Sequence, residues 1–296
     1  VEPLGSECRN GGRKPSISLS PDKFSRLYFG HTCGMPSNTD HVLTDLIAEV
    51  AALDAHLSGM SESDWSVPTP APGWDVADQV IHLGLIDRRA MWSMAEPDRF
   101  VSDMTSMMAS GGLDAIQNAE REKSPQQLLE WWREGAADLA RAAESIDLSA
   151  RCKWYGPSMS GTSMLTARLM ETWAHGQDIA DALKWTRIST DRLKHIAHIG
   201  VRAMPFAFAS NKLPVPEGRV FVSVTGPNGD TWTWGDESAD SCVTGPALGF
   251  CLAVTQRRHI DDCGLTTIGE PASTWMPIAQ SFAGPPGVGR VAGQFS

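Results

Sequence analysis

The sequence predicts a mainly helical N-terminal part, read as a four-helix bundle over residues 37–210, followed by a small α+β domain over 211–296 built on an antiparallel sheet. Three observations carry this. Up to about residue 209, apolar residues recur at three- and four-residue steps in long stretches, the period of helices with one buried face. Past Lys212, Pro214 and Pro216 interrupt the chain, and strand-like alternation follows, with PNGD as a turn between RVFVSVTG and TWTWG. At 296 residues and 42% hydrophobic content, the chain is long enough to bury a core in each part.

Composition removes several function classes. A formal net charge of −10 argues against a nucleic-acid surface, which needs clustered Lys and Arg to neutralise phosphates, so nucleic acid is not an expected partner. No apolar run approaches the roughly 18–20 residues of a membrane span, and no segment has the three-part form of a secretory signal. A cytoplasmic protein is expected. The cysteines Cys8, Cys33, Cys152, Cys242, Cys251 and Cys263 contain no C-x-x-C pair and read as reduced thiols.

Residues 1–36 carry five basic and three acidic residues, many Gly and Pro, and no helical period, which reads as a disordered extension. From Thr39 or Asp40, either a good cap, Leu43, Leu46, Ile47, Val50, Leu53 and Leu57 define a first helix closed by Gly59. Three prolines make 60–74 a loop, and Asp75 then caps a second helix over Val76–Ala95 that is apolar almost all round. After Pro97 the chain reads as less regular until Ser124 and Pro125 open a third helix. A loop over Lys153–Ser163 delivers the chain into the helix RLMETWAHGQDIADAL, Arg168–Leu183. A fifth helix spans Thr190 to about Ala209, where His195 and His198 form either a second metal pair or ordinary packing histidines. In the last part, Cys242–Gly245 adds a strand, Pro246–Arg258 reads as a helix, and AQSFAGPPGVGR is a loop.

The Arg168–Leu183 helix holds the chemistry. Glu171 and His175 are four residues apart and so project from one face, where they can hold two positions of a divalent metal. Arg168, Glu171, His175 and Asp178 also form the polar stripe of any solvated helix, and spacing alone leaves both readings open. His82, inside the apolar second helix, must find either a hydrogen-bond partner or a metal.

Around these residues the segments PGWDVADQVIHLG and ETWAHGQDIADAL resemble the DinB-like metal-binding superfamily, in particular the actinobacterial branch that includes the mycothiol-dependent maleylpyruvate isomerases. VTGPNGDTWTWG, GFCLAVTQRRHIDD and AQSFAGPPGVGR are similar to the accessory α+β domain of related actinobacterial proteins, so the resemblance covers about 36–290. It implies a DinB-like bundle in which His82, Glu171 and His175 bind a divalent metal, most commonly zinc. It also implies a small-molecule substrate and a low-molecular-weight thiol such as mycothiol, used for isomerisation or S-transfer on an electrophile. A hydrolase with metal-bound hydroxide, or a metal and small-ligand binding protein without turnover, are the alternatives. Asp178 and Asp78 are spaced to accept hydrogen bonds from the ligands' free ring nitrogens, or are surface charges. Arg168 orients Glu171, binds an acidic substrate, or forms a simple ion pair. Trp74 walls the pocket or packs; Arg257 and Arg258 reach a substrate carboxylate if the second domain closes over the metal.

Overall fold

The computed structural model describes residues 40–110, 112–282, 284 and 287–295, so the expected extension over 1–36, with Cys8 and Cys33, lies outside the described residues. Helix α1 runs Asp40–Leu57. A 3₁₀ turn at Glu62–Ser66 follows, then α2 over Val76–Ala95. Its start is a reciprocal cap: the Asp78 amide donates to Asp75 Oδ1 at 3.0 Å, and the Asp75 amide donates to Asp78 Oδ2 at 3.1 Å. Helices α3, Pro97–Ala109, and α4, Leu113–Glu120, occupy the stretch that reads as irregular in the sequence. The reason is exposure. In α3 only Phe100 and Met107 are buried, too few positions to print a period.

Helix α5, Pro125–Glu144, begins with a Ser124/Gln127 capping box. A two-residue hairpin, β1 Arg151–Cys152 with β2 Met159–Ser160, then leads into α6, Gly161–Leu183. Helix α6 therefore starts seven residues before the expected Arg168, with Ser160 as its cap, and Lys184 in the left-handed region (φ 58°) ends it. The helix expected over 190–209 divides into α7, Leu193–Arg202, and α8, Met204–Ser210. Pro205 lacks the amide hydrogen that would continue the ladder back to the preceding turn.

The four long helices close a ring: α1 packs on α6, α6 on α2, α2 on α5, and α5 on α1. Val80, Ile81 and Leu83 of α2, Trp132 of α5, and Met164, Leu165 and Leu169 of α6 are fully excluded from water inside it. Among the described residues, no helix is long and apolar enough to cross a membrane, and the described cysteines Cys152, Cys242, Cys251 and Cys263 are free thiols.

The last part holds β3 Val220–Thr225, β4 Thr231–Trp234, β5 Ser241–Pro246 and β6 Thr266–Ile268, in sheet order β4-β3-β5-β6. The outer pairings are antiparallel, as expected, but β3 and β5 are parallel. After β4 reverses the chain, residues 235–240 reverse it again, so β5 runs with β3 and lies on its other side. Helix α9, Ala247–Val254, and α10, Glu270–Trp275, cover the sheet. Helix α9 ends before the expected Arg258: Gln256 turns at φ 58°, and Arg257 and Arg258 leave the helix in a tight turn. Helix α7 packs on both α6 and α9, which joins the sheet-bearing part to the helical ring through one continuous apolar core.

Candidate metal centre

Three donors meet where α2 crosses α6. His82 Nε2 lies 3.5 Å from Glu171 Oε2, and His175 Nε2 lies 3.0 Å from the same oxygen. One ligand atom from each residue falls within 4.8 Å of the others, and this is the one such group of three among the described residues. The side chains are 16%, 21% and 11% exposed for His82, Glu171 and His175, so the cluster is largely but not wholly buried. Ligands about 2.0–2.2 Å from a tetrahedral zinc stand roughly 3.3–3.6 Å from one another. The His82–Glu171 spacing of 3.5 Å falls within that range, and the His175–Glu171 spacing of 3.0 Å lies below it.

The ring of His175 is oriented by a short relay from the loop before α2. Thr69 donates its hydroxyl proton to the Trp74 carbonyl at 2.8 Å and accepts from Gln79 Nε2 at 2.8 Å. Gln79 therefore turns its carbonyl oxygen to His175 Nδ1, at 2.5 Å. A carbonyl only accepts, so Nδ1 carries the proton and Nε2 aims a lone pair at the Glu171 carboxylate. Two acceptors facing each other across 3.0 Å repel unless a cation sits between them, which is the sense in which these residues fit a metal. Burial pushes the pKa of His175 down to about 4, so the ring is neutral and able to ligate across the neutral range. Burial works against ionisation of Glu171 too, but a proton or cation shared with the His175 and His82 rings outweighs that and holds its carboxyl well below the usual range.

Trp74 closes one wall. Its ring stacks on His175, centroids 5.9 Å apart, and lies 5.3 Å from that of His82, while the imidazoles are 4.6 Å from each other. The prolines of the 60–74 loop do not leave it loose: the Thr69 amide and hydroxyl both bind the Trp74 carbonyl, and Pro68 bridges to Asp75.

Other expected roles are corrected by the contacts. Asp78 does not reach His82: as the third residue of a capping box its carboxylate turns back to the Asp75 amide and is bound by Arg121 and, at 3.3 Å, by Gln117 of α4. Asp178 does not orient a ligand ring. It is buried between Arg257, 2.9 Å away, and Arg290, 2.7 Å away, and clamps the C-terminal part onto α6. Arg168 is bonded to Asp87 of α2 at 2.9 Å, with both side chains at most 2% exposed. Arg257 uses all three of its nitrogens within the chain, on the carbonyls of Ala174 and Thr255 and on Asp178, so it is a fixed positive charge beside His175. Arg258 binds Asp181 with both terminal nitrogens. Neither arginine is free to reach for a substrate in this arrangement.

The residue missed in the sequence is Gln79. It lies three positions before His82 on the same face of α2, but that face held no signal to prefer it to Asp78. Replacing it with Leu is expected to lower metal affinity about 10–100-fold, the usual effect of removing a ligand's outer partner. Competition against a chelator measures this, and affinity equal to the parent's removes Gln79 from the site.

The sequence model of the mycothiol maleylpyruvate isomerase N-terminal domain matches residues 46–180, which contain His82, Glu171 and His175. The chain belongs to this family. Two Mycobacterium tuberculosis proteins, from different strains and both described as uncharacterized, are each 44% identical to this family member over 250 residues, 84% of this chain and 97% of theirs. Crystal structures of the mycothiol-dependent maleylpyruvate isomerase and of a histidine-to-alanine mutant of it each superpose with a TM-score of 0.50 at 16% identity, over 86% of this chain and 97% of the other. At that identity the likeness is one of fold.

Proposed function

We propose that this family member is an enzyme that uses a low-molecular-weight thiol, mycothiol or a close analogue, together with a divalent metal at His82, Glu171 and His175, to isomerise or S-conjugate a small electrophile. The observation that carries this is the convergence of two imidazoles and one carboxylate on a partly exposed point, in a chain of a family named for a mycothiol isomerase. A divalent cation held there, zinc by the character of the donors, supplies the Lewis acidity that turns a thiol into a nucleophile at neutral pH.

The remaining contributions come from the chain's own atoms. Gln79 and Thr69 fix the tautomer of His175, so its Nε2 lone pair faces inward without a proton to lose. Trp74 keeps water off one side of both imidazoles, which strengthens every charge interaction within. Arg257, immobilised by Asp178 and two carbonyls, adds a positive charge that favours an anionic substrate over a neutral one. A sulfur nucleophile adds to an electrophilic carbon; if it leaves after bond rotation the product is an isomer, and if it stays the product is a thioether.

Maleylpyruvate, the compound after which the structural relative is named, is the first substrate to try. Turnover by metal-loaded protein is expected only when thiol is present. Conversion at the same rate with no thiol would replace this reading with a hydrolase acting through bound hydroxide.

A further inference from the structure

A second groove lies away from the metal centre. It encloses about 660 Å³ between the starts of α1 and α6, helix α7 and strand β4. Thr162 and Thr166, which line it, each precede Glu171 and His175 by nine residues, two and a half helical turns, so the groove lies on the opposite flank of α6. Its floor is one stripe of α7 and the turn before it: Asp191, Lys194, His195, His198, Ile199 and Arg202 fall at alternating three- and one-residue steps, while Leu193, Ile196 and Ala197 face the core.

The charges on this stripe are unevenly partnered. Asp45 is bound by His195 at 2.8 Å, and Asp191 by Asn228 at 2.9 Å, so both carboxylates of the groove are engaged. Lys194 has only a ring contact, 5.8 Å over Trp232, and neither it nor Arg202 has a carboxylate partner among the described residues. Trp234 Nε1 donates to His198 Nδ1 at 3.2 Å. An indole nitrogen can only donate, so His198 accepts at Nδ1 and holds its own proton on Nε2 as a further donor. Partial burial, with Arg202 and His195 adding to it, lowers the pKa of His198 and keeps the ring neutral in that form. The second metal pair that His195 and His198 suggest in the sequence is not assembled, since no third donor joins them within 4.8 Å among the described residues.

Two cations and an N–H donor, none of them paired with a carboxylate among the described residues, thus stand beside the apolar faces of Trp234 and Ile199, in a chain whose net charge is −10. We propose that this groove is a second binding site, for a small organic anion whose carboxylate or phosphate oxygens are taken by Lys194, Arg202 and His198 and whose apolar body lies against Trp234. Its volume is that of an ordinary small-molecule site. The site is independent of the metal centre and stands whether or not the thiol chemistry does.

Calorimetric titration of the full chain with phenyl phosphate and with benzoate, in EDTA so that no metal recruits the anion, tests this. Saturable binding of either is expected, the tighter of the two identifying the preferred anionic group. Arg202→Gln and Lys194→Gln, both at exposed positions, should each weaken it about tenfold, the usual effect of losing a charge-assisted hydrogen bond. Absence of saturable binding of both probes, or affinities in both variants equal to the parent's, overturns the proposal.

Discussion

Substituting His175 with Ala is expected to lower zinc affinity on the order of 10²–10³-fold, one ligand's share of a binding free energy of about 10–16 kcal/mol. The fold should survive. Helix α6 is held by Met164, Leu165, Leu169 and Ile179, none of which touches water, and Ala is the best helix former. The partner left behind, Gln79 Oε1, loses its donor, which costs about 1–3 kcal/mol because Gln79 is buried. Elemental analysis after dialysis reads the metal, and far-UV circular dichroism reads the helices. A metal-to-protein ratio equal to the parent's would remove His175 from the ligand set, and with it the chemistry proposed above. Loss of helicity together with metal would instead make the ion a structural one.

The largest loss of stability is expected from Arg168→Met. Arg168 and Asp87 tie α6 to α2 in the dry centre of the helical ring, at 2.9 Å, and Asp87 Oδ2 already lacks a hydrogen-bond partner. Removing the guanidinium strands a buried carboxylate, which typically costs about 3–5 kcal/mol. Replacing both partners, Arg168→Met with Asp87→Leu, should recover most of that loss, because two apolar side chains of similar size need no desolvation to be undone. Urea unfolding measures all three proteins. A single-variant loss below about 1 kcal/mol would mean that the pair is solvated in solution and does not join the helices as the structure has it.

Elements of high contrast were legible from the chain alone. The apolar period of α1, α2 and α5, the Asp75 and Ser124 caps and the PNGD hairpin are local features, encoded within a few residues of where they act. Helices α3 and α4 were not, because a helix that lies on the surface with two buried side chains or fewer leaves no periodic trace. The parallel pairing of β3 with β5 escaped for a different reason: alternation marks a strand but not the direction of its neighbour.

At the site, residue type and spacing singled out His82, Glu171 and His175, and the resemblance to a known family joined them. Their surroundings differ from what spacing implies wherever a partner comes from far along the chain. Asp178 looked placed for His175 but is taken by Arg257 and Arg290, more than seventy residues later. Gln79, ninety-six residues before His175, does what Asp178 was expected to do. Arg168 likewise answers to Asp87 rather than to Glu171 one turn away.

The sequence by itself determined the strongly periodic helices α1, α2 and α5, where each of them starts, and which side chains share a helix face, because these follow from backbone geometry and local hydrogen bonding. Only the tertiary structure decided which of several equally spaced polar groups meets which. A buried donor or acceptor takes the partner that packing brings within about 3 Å, and that distance is set by how helices cross, not by how residues are spaced along one of them.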